Sequence, residues 1–209
     1  KITVELGKQT LPVSTTANPL GYLKYTYTAS EIQPDMLNAD ITQTTDSPSW
    51  GGLYLQYFEK FDQVQQQKGI LSVTKKLFIE KIGSDGKQEL LPLGKEKLKT
   101  GDKVITRLTL SLKQDMDFLY LKDFRAACFE PIGQLSGNQW KFGTVYYEES
   151  KDAVTNFFFN SLAKGTYVLE YPVWVNQAGT YQDGIATFQS MYAPEYTAYS
   201  EAGKITVTK

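Results

Sequence analysis

The amino-acid sequence predicts an all-β protein: an antiparallel β-sandwich preceded by a smaller β-rich segment. About a dozen short runs alternate bulky or β-branched side chains with polar ones, the period of a strand with one buried face. Turn signals separate these runs every ~8–12 residues, as in β-sandwiches. Helical periodicity is weak and is confined to residues 29–36 and 57–67.

The first third of the chain is predicted to form a β-rich segment over residues 1–66. A polar run at residues 63–69, closed by Gly69, has the composition of a linker. Few strands precede it, which is little for an independent hydrophobic core. We therefore expect this segment to pack against the rest of the chain or to be completed by polypeptide that is absent from this sequence. Its predicted strands are residues 1–6, 21–28, 37–44 and 53–58.

The remainder, residues 67–209, is predicted to be one β-sandwich. Glycine turns connect its strands, and Asp85-Gly86 suits the positive φ angles of a tight hairpin. The number of strands is enough to close two facing sheets. The predicted strands are residues 71–80, 103–112, 118–121, 143–149, 156–159, 166–175, 185–191 and 205–208.

The composition excludes several classes of function. The 209 residues include no histidine and one cysteine, so the chain alone cannot assemble a Ser-His-Asp or Cys-His nucleophile, a disulfide or a four-cysteine zinc site. With 22 basic and 23 acidic residues, the net charge of −1 predicts no nucleic-acid partner. No apolar run reaches the ~20 residues of a membrane helix, so we expect no membrane insertion of this segment.

The remaining candidates for acid–base or metal chemistry are carboxylates in the middle third of the chain. A glycosidase needs two of them facing one bond, and calcium binding would use several oxygen ligands. The spacing lacks the glycine and terminal glutamate of an EF-hand loop, and most of these acids flank turns or strand ends. The sequence therefore predicts no catalytic residue, no cofactor and no metal site. The acids are Asp115, Asp117, Asp123, Glu130, Glu148 and Glu149.

The aromatic residues have two alternative interpretations, one structural and one in ligand binding. Trp50, Trp140 and Trp174, with fourteen tyrosines, either fill cores and domain contacts or form a sugar-binding platform. The run 156–160 is apolar on both faces, which is typical of a covered sheet or a docked strand. Cys128 stands among small and aromatic neighbours and is predicted to pack as an inert buried side chain, with no role assigned to it.

An ordered series of motifs resembles the C-terminal region of bacterial α2-macroglobulins of the Bacteroidetes type. The resemblance extends from about Gly21 to residue 209, and residues 164–167 (Lys-Gly-Thr-Tyr) and 191–195 (Met-Tyr-Ala-Pro-Glu) are its most specific parts. The motifs occupy residues 50–62, 77–81, 101–104, 121–131, 146–148, 156–159, 162–167 and 191–196.

This resemblance implies that residues 1–66 belong to a CUB-like domain and residues 67–209 form the terminal macroglobulin-like sandwich, both excerpted from a longer chain. Members of the family are large periplasmic or outer-membrane-anchored protease traps, so it implies a non-enzymatic endopeptidase-inhibitor module. Its partners would be other domains of the longer chain and, indirectly, host or competitor proteases. The family's Cys-Gly-Glu-Gln thioester signature is absent, because Phe129-Glu130-Pro131 follows Cys128.

A docking surface for neighbouring domains is expected where apolar side chains gather outside the core. The residues predicted to form it are Met191, Tyr192, Pro194, Tyr196 and Trp50. The alternative function is a carbohydrate-binding or adhesive sandwich that uses exposed Trp and Tyr side chains.

Overall fold

Strands account for most of the regular structure in the computed structural model, which describes residues 2–12, 22–94, 97–133, 135–141 and 143–209. Within these ranges there are seventeen strands and two short 3₁₀ helices, Pro34–Leu37 and Phe61–Gln63. The all-β prediction is confirmed. The strands are β1 Ile2–Leu6, β2 Gln9–Thr10, β3 Ala39–Gln43, β4 Leu71–Ile82, β5 Gln88–Pro92, β6 Leu98–Lys99, β7 Lys103–Leu112, β8 Met116–Phe124, β9 Phe129–Pro131, β10 Gly137–Lys141, β11 Thr144–Ser150, β12 Val154–Leu162, β13 Gly165–Val175, β14 Gly179–Asp183, β15 Ala186–Ser190, β16 Thr197–Tyr199 and β17 Gly203–Thr208.

The chain divides into two compact units, residues 1–56 and residues 57–209. The first unit contains one antiparallel sheet in the order β2-β1-β3. Gly7 joins β1 to β2 with a φ of 61°, and a Cβ there would lie 2.8 Å from the backbone of Asp35. Leu6, 6% exposed, is the one hydrophobic side chain of this unit's described residues that is buried.

Two strands predicted from alternation do not form. Residues 22–28 and 53–58 lie outside any strand or helix, and Gly21 lies outside the described residues. Alternation of apolar and polar side chains indicates a segment that could join a sheet. A strand forms only where a neighbouring strand hydrogen-bonds its backbone N–H and C=O groups. None of the described strands supplies that neighbour.

The second unit is built around two sheets. One has six strands in the order β10-β11-β12-β8-β15-β16, and the other has five in the order β5-β4-β7-β13-β9. All pairs in these two sheets are antiparallel. A smaller sheet, β14-β17-β6, contains the parallel pair of β17 with β6.

The inward rows of the two large sheets form one hydrophobic core. Phe157 and Phe159 of β12 are each 2% exposed, and their rings meet Tyr146 with centroids 5.7 Å apart. Phe188 of β15 lies across from Phe159 at 6.5 Å. The core side chains from the five-stranded sheet include Val73, Ile79, Leu108, Leu110, Leu169 and Val173. The sandwich predicted for this part of the chain is therefore present.

The polar run at residues 63–69 lies within the second unit, and backbone hydrogen bonds connect it to the end of the chain. The backbone N–H of Gln67 donates to Tyr199 O at 3.1 Å, and Val64 O accepts from Ala202 N at 3.2 Å. The CUB-like assignment of residues 1–66 and the boundary between residues 66 and 67 stay predictions. Among the described residues, no helix is long and apolar enough to cross a membrane.

Candidate functional site

The outer face of the six-stranded sheet carries a row of aromatic rings, here called the aromatic row: Tyr147, Phe158 and Tyr120. The register places these residues side by side on β11, β12 and β8. Phe158 stacks on Tyr120 with ring centroids 4.9 Å apart and lies 6.3 Å from Tyr147. Because the neighbouring inward residues fill the core, these rings face away from it, and Tyr147 is 42% exposed.

The edge of the same sheet extends this apolar surface. Trp140 of β10 pairs in register with Val145 of β11, and the two side chains are 80% and 61% exposed. An indole exposed to that degree gains little from burial within its own unit. Apolar side chains therefore occur on this outer face from its β10 edge to its centre, with the exposed Asn138 of β10 opposite Tyr147.

The beginning of β8 is held in a strained conformation. Phe118 has a φ of 52°, which is rare and costly for a bulky residue. Its ring packs edge-on against Tyr192 at 5.2 Å, and its carbonyl accepts a hydrogen bond from Met191 N at 2.9 Å. These contacts hold the segment after β15 against the exposed end of β8.

The predicted docking residues occupy different environments. Met191 and Tyr192 are 49% and 78% exposed, and Pro194 beside them is exposed as well. Tyr196 is half-buried and packs against the core. Trp50, 89% exposed, belongs to the first unit.

Polar side chains border the aromatic row. The Tyr120 hydroxyl donates to Asn156 Oδ1 at 2.8 Å, and Asn156 Nδ2 donates to Glu149 Oε2 at 2.8 Å. The hydrogen bond from Asn156 lowers the pKa of Glu149, and Lys151 Nζ lies 3.1 Å from the same carboxylate. Partial burial raises the pKa of Tyr120. The apolar surface thus has a rim of fixed hydrogen-bonding groups.

The candidate acids do not converge on one site. Glu148 is buried while its neighbour Glu149 faces outward, as strand alternation requires. Asp115 accepts a hydrogen bond from Lys164 N at 2.7 Å, and Asp123 is fully buried. In the ranges described, no three metal-binding side chains group together.

Trp140 and Trp174 lie on opposite sides of the sandwich. Trp140 is on the six-stranded sheet, whereas Trp174 is on the outer face of the five-stranded sheet and is 46% exposed. These two indoles therefore cannot stack on one ligand. Cys128 is fully buried, and burial raises the pKa of its thiol to about 11, the property of an unreactive cysteine.

A buried ionic cluster, here called the ionic cluster, joins Lys75 of β4, Asp123 of β8 and Asp183 of β14. Lys75 Nζ lies 3.0 Å from Asp123 Oδ1 and 2.8 Å from Asp183 Oδ1, and its side chain is 2% exposed. It also donates to Phe124 O at 2.7 Å and Gly184 O at 2.9 Å. The three sheets formed by the described residues of the second unit therefore meet at one ammonium group.

Burial and charge act in opposite directions on this cluster. Burial lowers the pKa of Lys75, but the two carboxylates offset it and leave that pKa above its ordinary value. Burial raises the pKa of both Asp123 and Asp183, although Lys75 offsets part of that rise. The Tyr171 hydroxyl donates to Asp123 Oδ2, and burial raises the pKa of this phenol well above its usual range.

Sequence reasoning missed Lys75, Tyr171 and Asp183. A signal existed for Lys75, since it takes an inward position between Val73 and Leu77 in an otherwise apolar row. No sequence spacing connects it with Asp123 and Asp183, because the three come from separate strands. Gly184 is required beside them, since a Cβ there would lie 2.2 Å from Phe124 O.

The fold and the surface define an antiparallel, macroglobulin-like β-sandwich with an apolar outer face. The profile of the family described as Bacterial Alpha-2-macroglobulin MG10 domain matches residues 71–195. The chain belongs to this family, as the motif series predicts. No curated protein sequence matches the chain.

Solved structures share the fold. A Salmonella α2-macroglobulin reacted with methylamine is 20% identical, with a TM-score of 0.54, over 70% of this chain and 10% of its own length. Trypsin-activated α2-macroglobulin from Escherichia coli is 17% identical, with a TM-score of 0.53, over 70% of this chain and 11% of its own. The native conformation of the E. coli protein is 17% identical, with a TM-score of 0.53, over 75% of this chain and 10% of its own length. The chain thus spans about a tenth of these proteins.

Proposed function

We propose that this chain is a non-enzymatic structural module of a bacterial α2-macroglobulin-like endopeptidase inhibitor, a protease trap of the periplasm or the outer-membrane-anchored cell envelope. Membership of the MG10 family supports this proposal. The much greater length of the similar proteins supports a role beside other domains of one chain, here called the parent protein.

The exposed apolar face of the six-stranded sheet is the observation that carries the proposal. Soluble domains rarely leave contiguous aromatic surface in water, and such surfaces usually mark interfaces. Trp140 and Val145 at the edge and the aromatic row at the centre supply the apolar area. Asn156 and Glu149 supply the polar rim of an interface. The module contributes a docking surface rather than a reaction site.

The first unit offers a second contact with the parent protein. Residues 50–56 are exposed and lie outside the described strands, yet they include Trp50, Leu53, Tyr54 and Leu55, which are 89%, 58%, 91% and 49% exposed. Such a segment has both an apolar surface and free backbone groups for pairing with another strand. Strands from elsewhere in the parent protein complete the CUB-like domain here.

Inhibition is tested on the parent protein. After incubation with a protease, a trap is expected to show one limited cleavage, to protect a protein substrate, and to leave hydrolysis of a small peptide substrate largely intact. An uncleaved parent protein, or equal hydrolysis of protein substrate with and without it, contradicts the inhibitor function.

The outer face of the six-stranded sheet is tested as a docking surface with Trp140→Ser and a matched control, Trp174→Ser, on the opposite face. In the isolated chain both variants should leave the melting temperature nearly unchanged, because both indoles are exposed. In the parent protein Trp140→Ser should lower the melting temperature more than Trp174→Ser. Equal effects in the parent protein contradict the assignment of this face.

A further inference from the structure

We propose that Lys75 and Asp123 form a covalent isopeptide bond that crosslinks the two large sheets of the sandwich. The proposal is independent of the protease-trap function. Lys75 lies on β4 of the five-stranded sheet and Asp123 on β8 of the six-stranded sheet, and Lys75 Nζ is 3.0 Å from Asp123 Oδ1. Neither side chain exceeds 2% exposure.

The first argument is the cost of burying charge. An ammonium and two carboxylates are held within a core of leucine, valine and phenylalanine side chains. Each buried charge loses much of its hydration, and the attraction between partners often fails to repay that loss. Condensation to an amide replaces one such pair with a neutral group, and the closed core excludes the water that would reverse it.

The second argument is the position of the nucleophile. A neutral amine has two N–H groups and one lone pair. One N–H group can donate to Phe124 O or Gly184 O, which lie 2.7 and 2.9 Å from Lys75 Nζ, and the other can donate to Asp183 Oδ1 at 2.8 Å. The lone pair is then left for the carboxyl group of Asp123. Gly184 allows this approach, because any Cβ there would collide with Phe124 O.

The third argument is the division of roles between the two acids. Asp123 is the electrophile, since it is fully buried and the Tyr171 hydroxyl donates to its Oδ2, where negative charge develops during attack. Asp183 is the proton carrier. Its Oδ1 lies 2.8 Å from the same nitrogen, and its side chain retains 13% exposure.

The reaction balances without any other reagent. Proton transfer from the Lys75 ammonium to Asp123 gives an amine and a carboxylic acid. The amine forms the N–C bond with Asp123 Cγ, the carbonyl electron pair moves to the oxygen bound by Tyr171, and Asp183 takes a proton from the nitrogen. Asp183 returns that proton to the departing hydroxyl, the C=O bond re-forms and one water leaves.

Intact mass spectrometry of the denatured 209-residue chain tests the bond. Loss of one water predicts a mass about 18 Da below that of the sequence. A digest should contain one branched peptide that links Lys75 with Asp123. A full sequence mass overturns the proposal and leaves the ionic cluster as a plain ion pair, and a branch to Asp183 in place of Asp123 overturns it as well.

Variants separate the roles. Asp123→Asn should still crosslink but lose about 17 Da, because ammonia leaves in place of water. Lys75→Arg, the matched control, should keep the full mass, since its guanidinium retains charge without an amine nucleophile. Asp183→Ala should leave a larger fraction of chains at full mass soon after synthesis. A mass loss that persists in Lys75→Arg would overturn the assignment.

Discussion

The two units of this chain use similar apolar side chains in opposite ways. In residues 57–209, aromatic and aliphatic side chains from two large sheets pack into one core, with Phe157, Phe159 and Phe188 almost fully buried. In residues 1–56, three strands bury Leu6 among the described residues, while Trp50 and Tyr54 are about nine-tenths exposed at 89% and 91%. Apolar composition alone therefore does not make a stable domain; a facing sheet must cover it.

The largest difference between the two units is expected when each is expressed alone. Residues 57–209 expressed alone should unfold in one cooperative thermal transition, because their core is complete. Residues 1–56 alone should show no such transition, because they bury too little apolar surface to offset chain entropy. Circular dichroism melts check both. Cooperative unfolding of residues 1–56 alone would contradict the account.

Within the sandwich, the largest single-residue effect is expected at Phe157. Its ring is 2% exposed and meets those of Tyr146 and Tyr171 at 5.7 and 6.2 Å. Phe157→Ala should lower the free energy of unfolding by about 3–5 kcal/mol. Tyr54→Ala, in the first unit, should change it by less than about 0.5 kcal/mol. Urea denaturation measures both, and comparable losses would refute the contrast.

A smaller loss of stability is expected where the backbones of Gly184 and Phe124 approach each other closely, beside the ionic cluster. Gly184→Ala would put a Cβ 2.2 Å from Phe124 O, and the shift this forces should cost about 1–3 kcal/mol. Gly203→Ala is the matched control, because nothing lies within 4 Å of its added methyl. Gly184→Ala should have the lower melting temperature of the two variants. Equal melting temperatures would show that the close approach of Gly184 to Phe124 does not exclude a side chain.

The smallest expected effect concerns the buried Glu148. Burial raises the pKa of its carboxyl, and Lys141 offsets part of that rise. The folded state therefore holds this proton more tightly than the unfolded chain, so the ionised carboxylate destabilises the fold as pH rises through the folded pKa. Glu148→Gln should stabilise the chain at pH 7 by less than about 1 kcal/mol.

The pH dependence distinguishes this cause from a general effect of the substitution. The gain should fade as pH drops below the ordinary glutamate value of 4.5, where both states are protonated. Glu149→Gln is the control on the outer face, where a hydrogen bond from Asn156 lowers the pKa of the carboxyl. Glu149→Gln should destabilise the chain at pH 7, the opposite of the effect expected for Glu148→Gln. Denaturation series at pH 4 and pH 7 would decide between them.

Much of the sandwich was predictable, because alternation reports burial directly. The outward Tyr120 and Lys122 alternate with the inward Leu119, Leu121 and Asp123 along β8. Residues 22–28 and 53–58 alternate too, yet they form no strand, since pairing depends on partners that alternation does not reveal. The sequence motifs indicated the family correctly for the matched residues 71–195.

The candidate site was predictable only in part. Exposed Met191 and Tyr192 contact the strained Phe118, and their role in docking stays a prediction. The aromatic row brings together Tyr147, Phe158 and Tyr120 from three strands, and their order in the sheet depends on long-range pairing. The ionic cluster was missed for the same reason, since it joins residues from three different sheets.

Hydrogen exchange, compared peptide by peptide between the isolated chain and the parent protein, tests the docking account most directly. In the isolated chain, amides of β7 and β12 should exchange slowly, whereas residues 50–56 and the edge strand β10 should exchange fast. In the parent protein, residues 50–56 and β10 should slow markedly while the core strands stay as they were. Unchanged exchange at both places would contradict the docking function proposed for this chain.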